Sequence, residues 1–434
     1  MRYGFYLLLF LFSFQAEAKR STEWALHIDT KLEARYFPQD YGEDTNNENF
    51  RLELQPNYKW TYLDSIRFYL KPDYVTDPGN KSESERNYFD FTEAYLRYKG
   101  DTISLQAGYA LYSWGVTDGY NPIDIVNSKQ YFDPLQSRKM GALSLSYSQS
   151  FETWDYDLIY IPQNKGAILP GENSRWLPRE IFIPETPDND IVLLLPETLR
   201  YRFGARENLN DALDNNIAAR IQWRGFVDLG LYYYDGVASF PLVKPQVTGS
   251  VVQVSPKTVV SVDPDVFLKT QNYRLRQGAI SMVRNQWDLL FKLAATYQQS
   301  IGDDSYLPGW MQETVLAMEK NFQFGSDGML IAVLQKSFIS SEKSNDSNLS
   351  TTEIFRDSWM LGGRLSWSEV WSASLLGLLE TRHNSNYSEF GIGRRLGDAW
   401  NLNISARLIS GDAQNPLGVY EKNDSYSLSL SRSF

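Results

Sequence analysis

The chain has 434 residues, a formal net charge of −11 and no cysteine. The missing thiols exclude disulfides and thiolate metal sites, and no cofactor, metal or nucleic-acid partner is expected. Aromatic residues make up 15 %, with 28 Tyr and 12 Trp, and amphipathic rings in such numbers gather at membrane interfaces.

The first residues read as a leader. Met1-Arg2 is a short positive start, Tyr3 to Phe14 is an apolar run, and Ala16-Glu17-Ala18 is a small-x-small cleavage site. The run is shorter than the ~20 residues of a spanning helix, so a secretory signal peptide is predicted over residues 1–18. Residues 19–434 then form one domain. They contain no second long apolar run, and therefore no transmembrane helix.

From there the chain alternates with period two, the signature of a strand whose side chains leave opposite faces. Trp24 to Phe37 reads as the first strand. Asn49 to Tyr62 is the clearest: Phe50, Leu52, Leu54, Pro56, Tyr58, Trp60 and Tyr62 share one face, and Arg51, Glu53, Gln55, Asn57, Lys59 and Thr61 the other. Further strands are predicted over 65–76, 89–99, 102–114, 141–151, 154–161, 216–224, 226–235, 273–284, 287–299, 314–322, 328–338, 358–368, 371–381, 386–396, 400–409 and 425–434. Many are longer than the usual 5–6 residues of a soluble strand and match the 9–11 of a tilted transmembrane strand. That is about 18 strands, with 16 the alternative because the periods are weakest at 273–284 and 314–338.

The connections sort by length. Tight turns at 63–64, 100–101, 152–153, 225, 285–286, 325–326, 369–370 and 397–398 alternate with mostly longer segments, including 38–48, 77–88, 115–139, 162–215 and 236–272. An outer-membrane barrel has short periplasmic turns and long extracellular loops. The predicted fold is an all-β, transmembrane, antiparallel up-and-down β-barrel with both termini on the periplasmic side. A lipid-facing arginine at mid-membrane would cost ~2–4 kcal/mol. Arg51, Arg67, Arg97, Arg220, Arg224, Arg364 and Arg407 are therefore predicted to line the lumen, with Glu53, Asp73, Glu93, Asp155, Asp157 and Asp228. They serve either as paired braces of the wall or as a basic ladder for anionic solutes.

Two stretches carry a resemblance. The last strand alternates Tyr426, Leu428, Leu430 and Phe434 with serines, Arg432 being the polar member of the outer face. It resembles the C-terminal strand of bacterial outer-membrane β-barrels. The resemblance implies that this strand closes the barrel and signals to the barrel-assembly machinery. Trp114-Gly115-x-x-Asp118 followed by Asn121-Pro122-x-Asp124, after the Gly-containing strand Gln106-Ala107-Gly108, resembles a loop of little-characterised porin-like outer-membrane proteins. By that analogy 115–139 is a constriction loop, with Asp118 and Asp124 expected to accept backbone N–H bonds in Asx-turns. The Pro-rich 162–215 segment, which holds the apolar run Ile191 to Leu195, and the Val- and Pro-rich 236–272 segment are read as loops that cover the mouth or meet a partner.

No catalytic motif surrounds the only histidines, His27 and His383, so an enzyme is not expected. A TonB-dependent transporter is disfavoured because the first strand starts too early for a plug domain. Two readings follow. One is a porin-like channel for passive or selective diffusion of small hydrophilic solutes. The other is a loop-plugged barrel acting in surface interaction or polysaccharide export or attachment. Expected partners are outer-membrane lipid, lipopolysaccharide, the assembly machinery and a small solute, in a Gram-negative outer membrane. The oligomeric state is left open.

Overall fold

A computed structural model describes residues 22–41, 45–78, 86–177, 191–194, 196, 199–255, 258–302, 304, 306–307, 309–325, 327–342, 351–412 and 415–434. The predicted leader, Gly42 to Asp44, Pro178 to Asp190 and Leu195 lie outside these residues.

Eighteen strands form one antiparallel sheet. They are β1 (Thr22–Tyr36), β2 (Glu48–Tyr62), β3 (Ile66–Thr76), β4 (Tyr88–Lys99), β5 (Ile103–Ala110), β6 (Ala142–Ser150), β7 (Trp154–Gln163), β8 (Asp214–Trp223) and β9 (Asp228–Val237), followed by β10 (Arg274–Gln286), β11 (Leu289–Ile301), β12 (Trp310–Phe324), β13 (Gly328–Ser341), β14 (Ser358–Trp367), β15 (Trp371–Glu380), β16 (Ser385–Leu396), β17 (Trp400–Ser410) and β18 (Ser425–Ser433). Each pairs with the next, and β18 pairs with β1 from Asp29↔Ser433 to Tyr36↔Tyr426. That last ladder closes the barrel and leaves no free sheet edge, which a hydrocarbon environment requires. Both weak periods are strands, so the count is 18.

Alternation sorts the side chains. In the final strand Tyr426, Leu428 and Phe434 are outward and exposed. At the short-turn end an aromatic girdle contains Trp24, Phe151, Trp154, Phe226, Trp287 and Trp367, and at the other end Tyr36, Phe50, Tyr74, Phe89, Tyr297 and Trp359 are likewise exposed. Two such belts flanking an apolar band are what an outer-membrane barrel presents to lipid.

Two regions depart from the sequence expectation. The strand read over 102–114 ends at Ala110. Beyond it the Asn127 side chain replaces the ladder, accepting the Tyr112 N–H at 2.7 Å and donating to the Ala110 and Met140 carbonyls at 2.9 and 2.8 Å. With its polar groups satisfied by one side chain, the backbone can leave the sheet. The second departure is the segment read as a loop over 236–272, which contains a long hairpin, Leu242–Gln253 with Thr258–Asn272. The apolar run beginning at Ile191 pairs in parallel with its second strand, from Ile191↔Thr258 to Leu194↔Ser261.

Strand β4 carries a bulge at Thr92: the register steps from Lys71↔Glu93 to Pro72↔Phe91. An extra residue reverses which parity faces out, so Phe89 is outward above the bulge and Leu96 and Tyr98 below it. Two glycines pack on this site. At Gly108 (φ +128°) a Cβ would stand 2.2 Å from the Ala94 carbonyl oxygen, and at Gly141 2.2 Å from that of Phe91. Gly108→Ala therefore meets both a disfavoured dihedral and backbone. It is expected to destabilise the barrel by at least ~1–3 kcal/mol, read as a lower midpoint of heat-modifiable gel migration. Gly278→Ala, where nothing lies within 4 Å of the new Cβ, is expected to leave the midpoint unchanged.

Candidate functional site: the lumen and its inner loop

Residues 111–141, between β5 and β6, run around the inside of the barrel. Trp114, Ile123, Ile125 and Val126 are buried against inward side chains of β7 to β12, including Ile159, Ala218, Tyr232, Leu275, Ala294 and Val315. Farther along, the backbone is held by the wall. Gln277 donates to the Pro122 carbonyl at 3.0 Å, Gln335 donates to the Tyr120 carbonyl at 3.1 Å, and Gly119 N–H donates to Gln335 at 3.3 Å. Lys292 pairs with Asp118 at 2.6 Å, and the Tyr120 hydroxyl donates to Glu313. The loop then reaches β1 and β17. Asp133 lies 2.5 Å from Arg407 and 3.1 Å from Arg35, and Gln136 donates to Glu389. Arg138 completes the circuit against Glu53 at 2.6 Å and Asp73 at 2.8 Å.

The Trp-Gly-x-x-Asp and Asn-Pro-x-Asp residues bind one another. Asn121 donates to the Trp114 carbonyl at 2.8 Å and accepts the Ile123 N–H at 3.2 Å. Its side chain fills the space a Cβ on Gly115 (φ +95°) would need. Asp124 accepts the Trp114 N–H at 3.3 Å and pairs with Lys139 at 2.7 Å. The expected Asx-turns at Asp118 and Asp124 are thus replaced. Asn121 makes the local turn bond, Asp124 bridges ten residues back, and Asp118 meets Lys292 on the wall. A neutral amide both donates and accepts, which a carboxylate cannot.

The arginines placed in the lumen divide into two groups. Arg51 stands 3.6 Å from Glu53, Arg220 pairs with Asp157, Arg224 with Asp155, and Arg407 with Asp133 and, at 3.5 Å, Glu389. Arg67, Arg97 and Arg364 belong to no ion pair among the described residues. Arg67 and Arg97 face each other in register across β3 and β4, where two cations repel, and Arg97 donates to Gln106. All three sit within a few residues of short turns. Glu93 stands opposite Lys71. Asp228 accepts the Gly225 N–H across its turn at 3.3 Å. Of the two histidines, His27 stands opposite Asn57, and His383 Nδ1 is 3.2 Å from Glu380.

Sequence reading missed the residues that pack the mouth. Arg175 is 3 % exposed. It donates to Asn423, to the Asn46, Gln39 and Lys422 carbonyls and to Asn47. Its guanidinium lies 3.9 Å from the centroid of Phe37. Trp176 beside it is buried with Phe37, Ile354, Leu417 and Tyr420. The segment leaving β7 thus crosses the mouth to the loops flanking β1 and β18. Tyr131, Leu169, Leu177, Tyr201, Val243 and Leu268 share one apolar cluster, so three long connections pack together. The signal was faint: an Arg-Trp pair inside a Pro-rich stretch.

Space remains on both sides of the inner loop. One cavity of about 500 Å³ lies toward Tyr131, Tyr273, Glu313 and Phe355, and another of about 530 Å³ toward Ile331, Val333, Arg364, Leu376 and Leu378.

No protein-family model matches the chain, and no curated protein sequence does. Solved structures do. OccK2 (OpdF) of Pseudomonas aeruginosa is similar, with 10 % identity over 95 % of this chain and 98 % of that one and a TM-score of 0.53. OccK5 (OpdH) of the same organism and a BenF-like porin from Pseudomonas fluorescens Pf-5 each show 8 % identity over 95 % of this chain and 98 % of theirs, with a TM-score of 0.50. At these identities the likeness is one of fold: the chain has the closed barrel of an outer-membrane porin.

Proposed function

We propose that the chain is a porin-like outer-membrane channel for small hydrophilic solutes, with its termini in the periplasm and residues 111–141 as the constriction. The observation that carries this reading is the loop's course. It packs its apolar residues on one stretch of the wall and follows the rest on polar and ionic contacts, yet leaves cavities of about 500 and 530 Å³ beside it. A loop that merely plugged the barrel would fill that space with packed side chains. The paired arginines brace the wall and hold the constriction. Arg67, Arg97 and Arg364, which form no ion pair among the described residues, bias passage toward anions.

The strap through Arg175 and Trp176 favours a second reading, a barrel closed at the mouth and working as a surface interaction module. Osmotic swelling of proteoliposomes in neutral sugars of graded size separates the two. The channel reading expects swelling rates that fall steeply with sugar size. Folded protein that gives no swelling with the smallest sugar would leave the closed-barrel reading standing.

A further inference from the structure

The cavity of about 500 Å³ beside the inner loop is lined by six charged side chains: Asp118, Asp124, Lys129, Lys139, Glu313 and Glu353. Four have partners. Asp118 pairs with Lys292 at 2.6 Å, Asp124 with Lys139 at 2.7 Å and Glu353 with Arg356 at 2.6 Å. Two remain, of opposite sign, and neither belongs to an ion pair among the described residues.

Lys129 lies in a two-residue strand paired with Arg138–Lys139, and its carbonyl accepts the Ile168 N–H at 3.1 Å, so its backbone is fixed from both sides. Burial holds its ammonium below the ordinary lysine value, against the pull of Asp124 and, more weakly, of Glu313. Glu313, on β12, is 1 % exposed and among the described residues accepts from neutral donors: the Tyr120 hydroxyl, Thr296 Oγ1 at 3.1 Å and Gln298. A carboxylate offers about four acceptor positions, so one is left. Lys129 and Glu313 attract each other without touching, and a charge held from water without a contact partner is costly. A ligand carrying both complementary charges relieves both at once.

We propose that this cavity binds a small zwitterion of the amino-acid or dipeptide class, its carboxylate on Lys129 and its ammonium on Glu313. Tyr131, Tyr273, Phe240 and Phe355 supply the wall for an apolar side chain. An anion alone would leave Glu313 uncompensated, and a cation alone would leave Lys129 so. The proposal deepens the channel reading by naming the solute class its inner loop holds. Its test reads binding rather than conduction, so the two can fail separately.

The test is calorimetric titration of the full chain, folded in detergent, with glycyl-phenylalanine, its N-acetyl form and its C-terminal amide. The dipeptide is expected to bind at least about tenfold more tightly than either capped form, the effect of losing one charge-assisted contact. Lys129→Met is expected to abolish the advantage over the amide, and Glu313→Gln the advantage over the N-acetyl form. If Glu313→Gln does not fold, the three ligands on the unaltered chain still decide. Equal affinity for a capped form and the free dipeptide overturns the proposal, and so does the absence of binding at millimolar dipeptide.

Discussion

Arg407→Met is expected to release the inner loop from the wall and to cost about 3–5 kcal/mol, the usual penalty for removing one member of a buried ion pair. Arg407 is 4 % exposed and holds Asp133 at 2.5 Å and Glu389 at 3.5 Å. Its guanidinium also lies 5.8 Å from the Trp176 ring, so it meets the inner loop and the strap together. Arg35, which also pairs with Glu33 at 2.9 Å, would be left to balance Asp133 alone. The change is read as a lower midpoint of heat-modifiable migration and as faster proteolysis within 111–141. The double variant Arg407→Met/Asp133→Leu removes both charges and should recover much of the loss. Burial raises the Asp133 carboxyl, but Arg407 and Arg35 outweigh it and hold it below the ordinary aspartate value. A depressed carboxylate stabilises fully above its unfolded pKa and loses that contribution as pH falls through the folded one. The brace is therefore intact at neutral pH and weakens only below the usual aspartate range.

The second large effect concerns ion preference. Replacing Arg67, Arg97 and Arg364 together by serine removes three cations without breaking an ion pair, because none of them belongs to one among the described residues. The reversal potential under a salt gradient is expected to move clearly toward cations. Arg220→Ser should move it in the same direction and by less, since it removes one cation rather than three and leaves Asp157, now 2.5 Å from that guanidinium, uncompensated. A triple variant with the parent's reversal potential would show that these arginines take no part in selecting ions.

Much of the barrel was legible in the chain because its rule is local. A strand such as Asn49 to Tyr62 announces both its state and its outward face by parity alone, and short turns alternating with long connections announce the topology. Legibility failed where the rule is not local. Asp133 meets Arg407 across 274 residues and Arg35 across 98, and no spacing links them. Strand β4 hides its faces because the bulge at Thr92 swaps parity midway. The hairpin from Leu242 to Asn272 was read as loop because its prolines and glycine mask a Val-rich alternation. The motif residues Trp114, Asn121 and Asp124 stood out in the sequence, but their work is to hold one another, and the cavity charges outside any ion pair among the described residues are Lys129 and Glu313.

The most direct test of the channel is single-channel recording of the mature protein, folded and inserted in a planar bilayer, under a salt gradient. Discrete, stable conductance steps with a reversal potential on the anion side are the expected result. Folded protein that inserts and passes no current would contradict it, and would make the strap at Arg175 and Trp176 a closure rather than a brace.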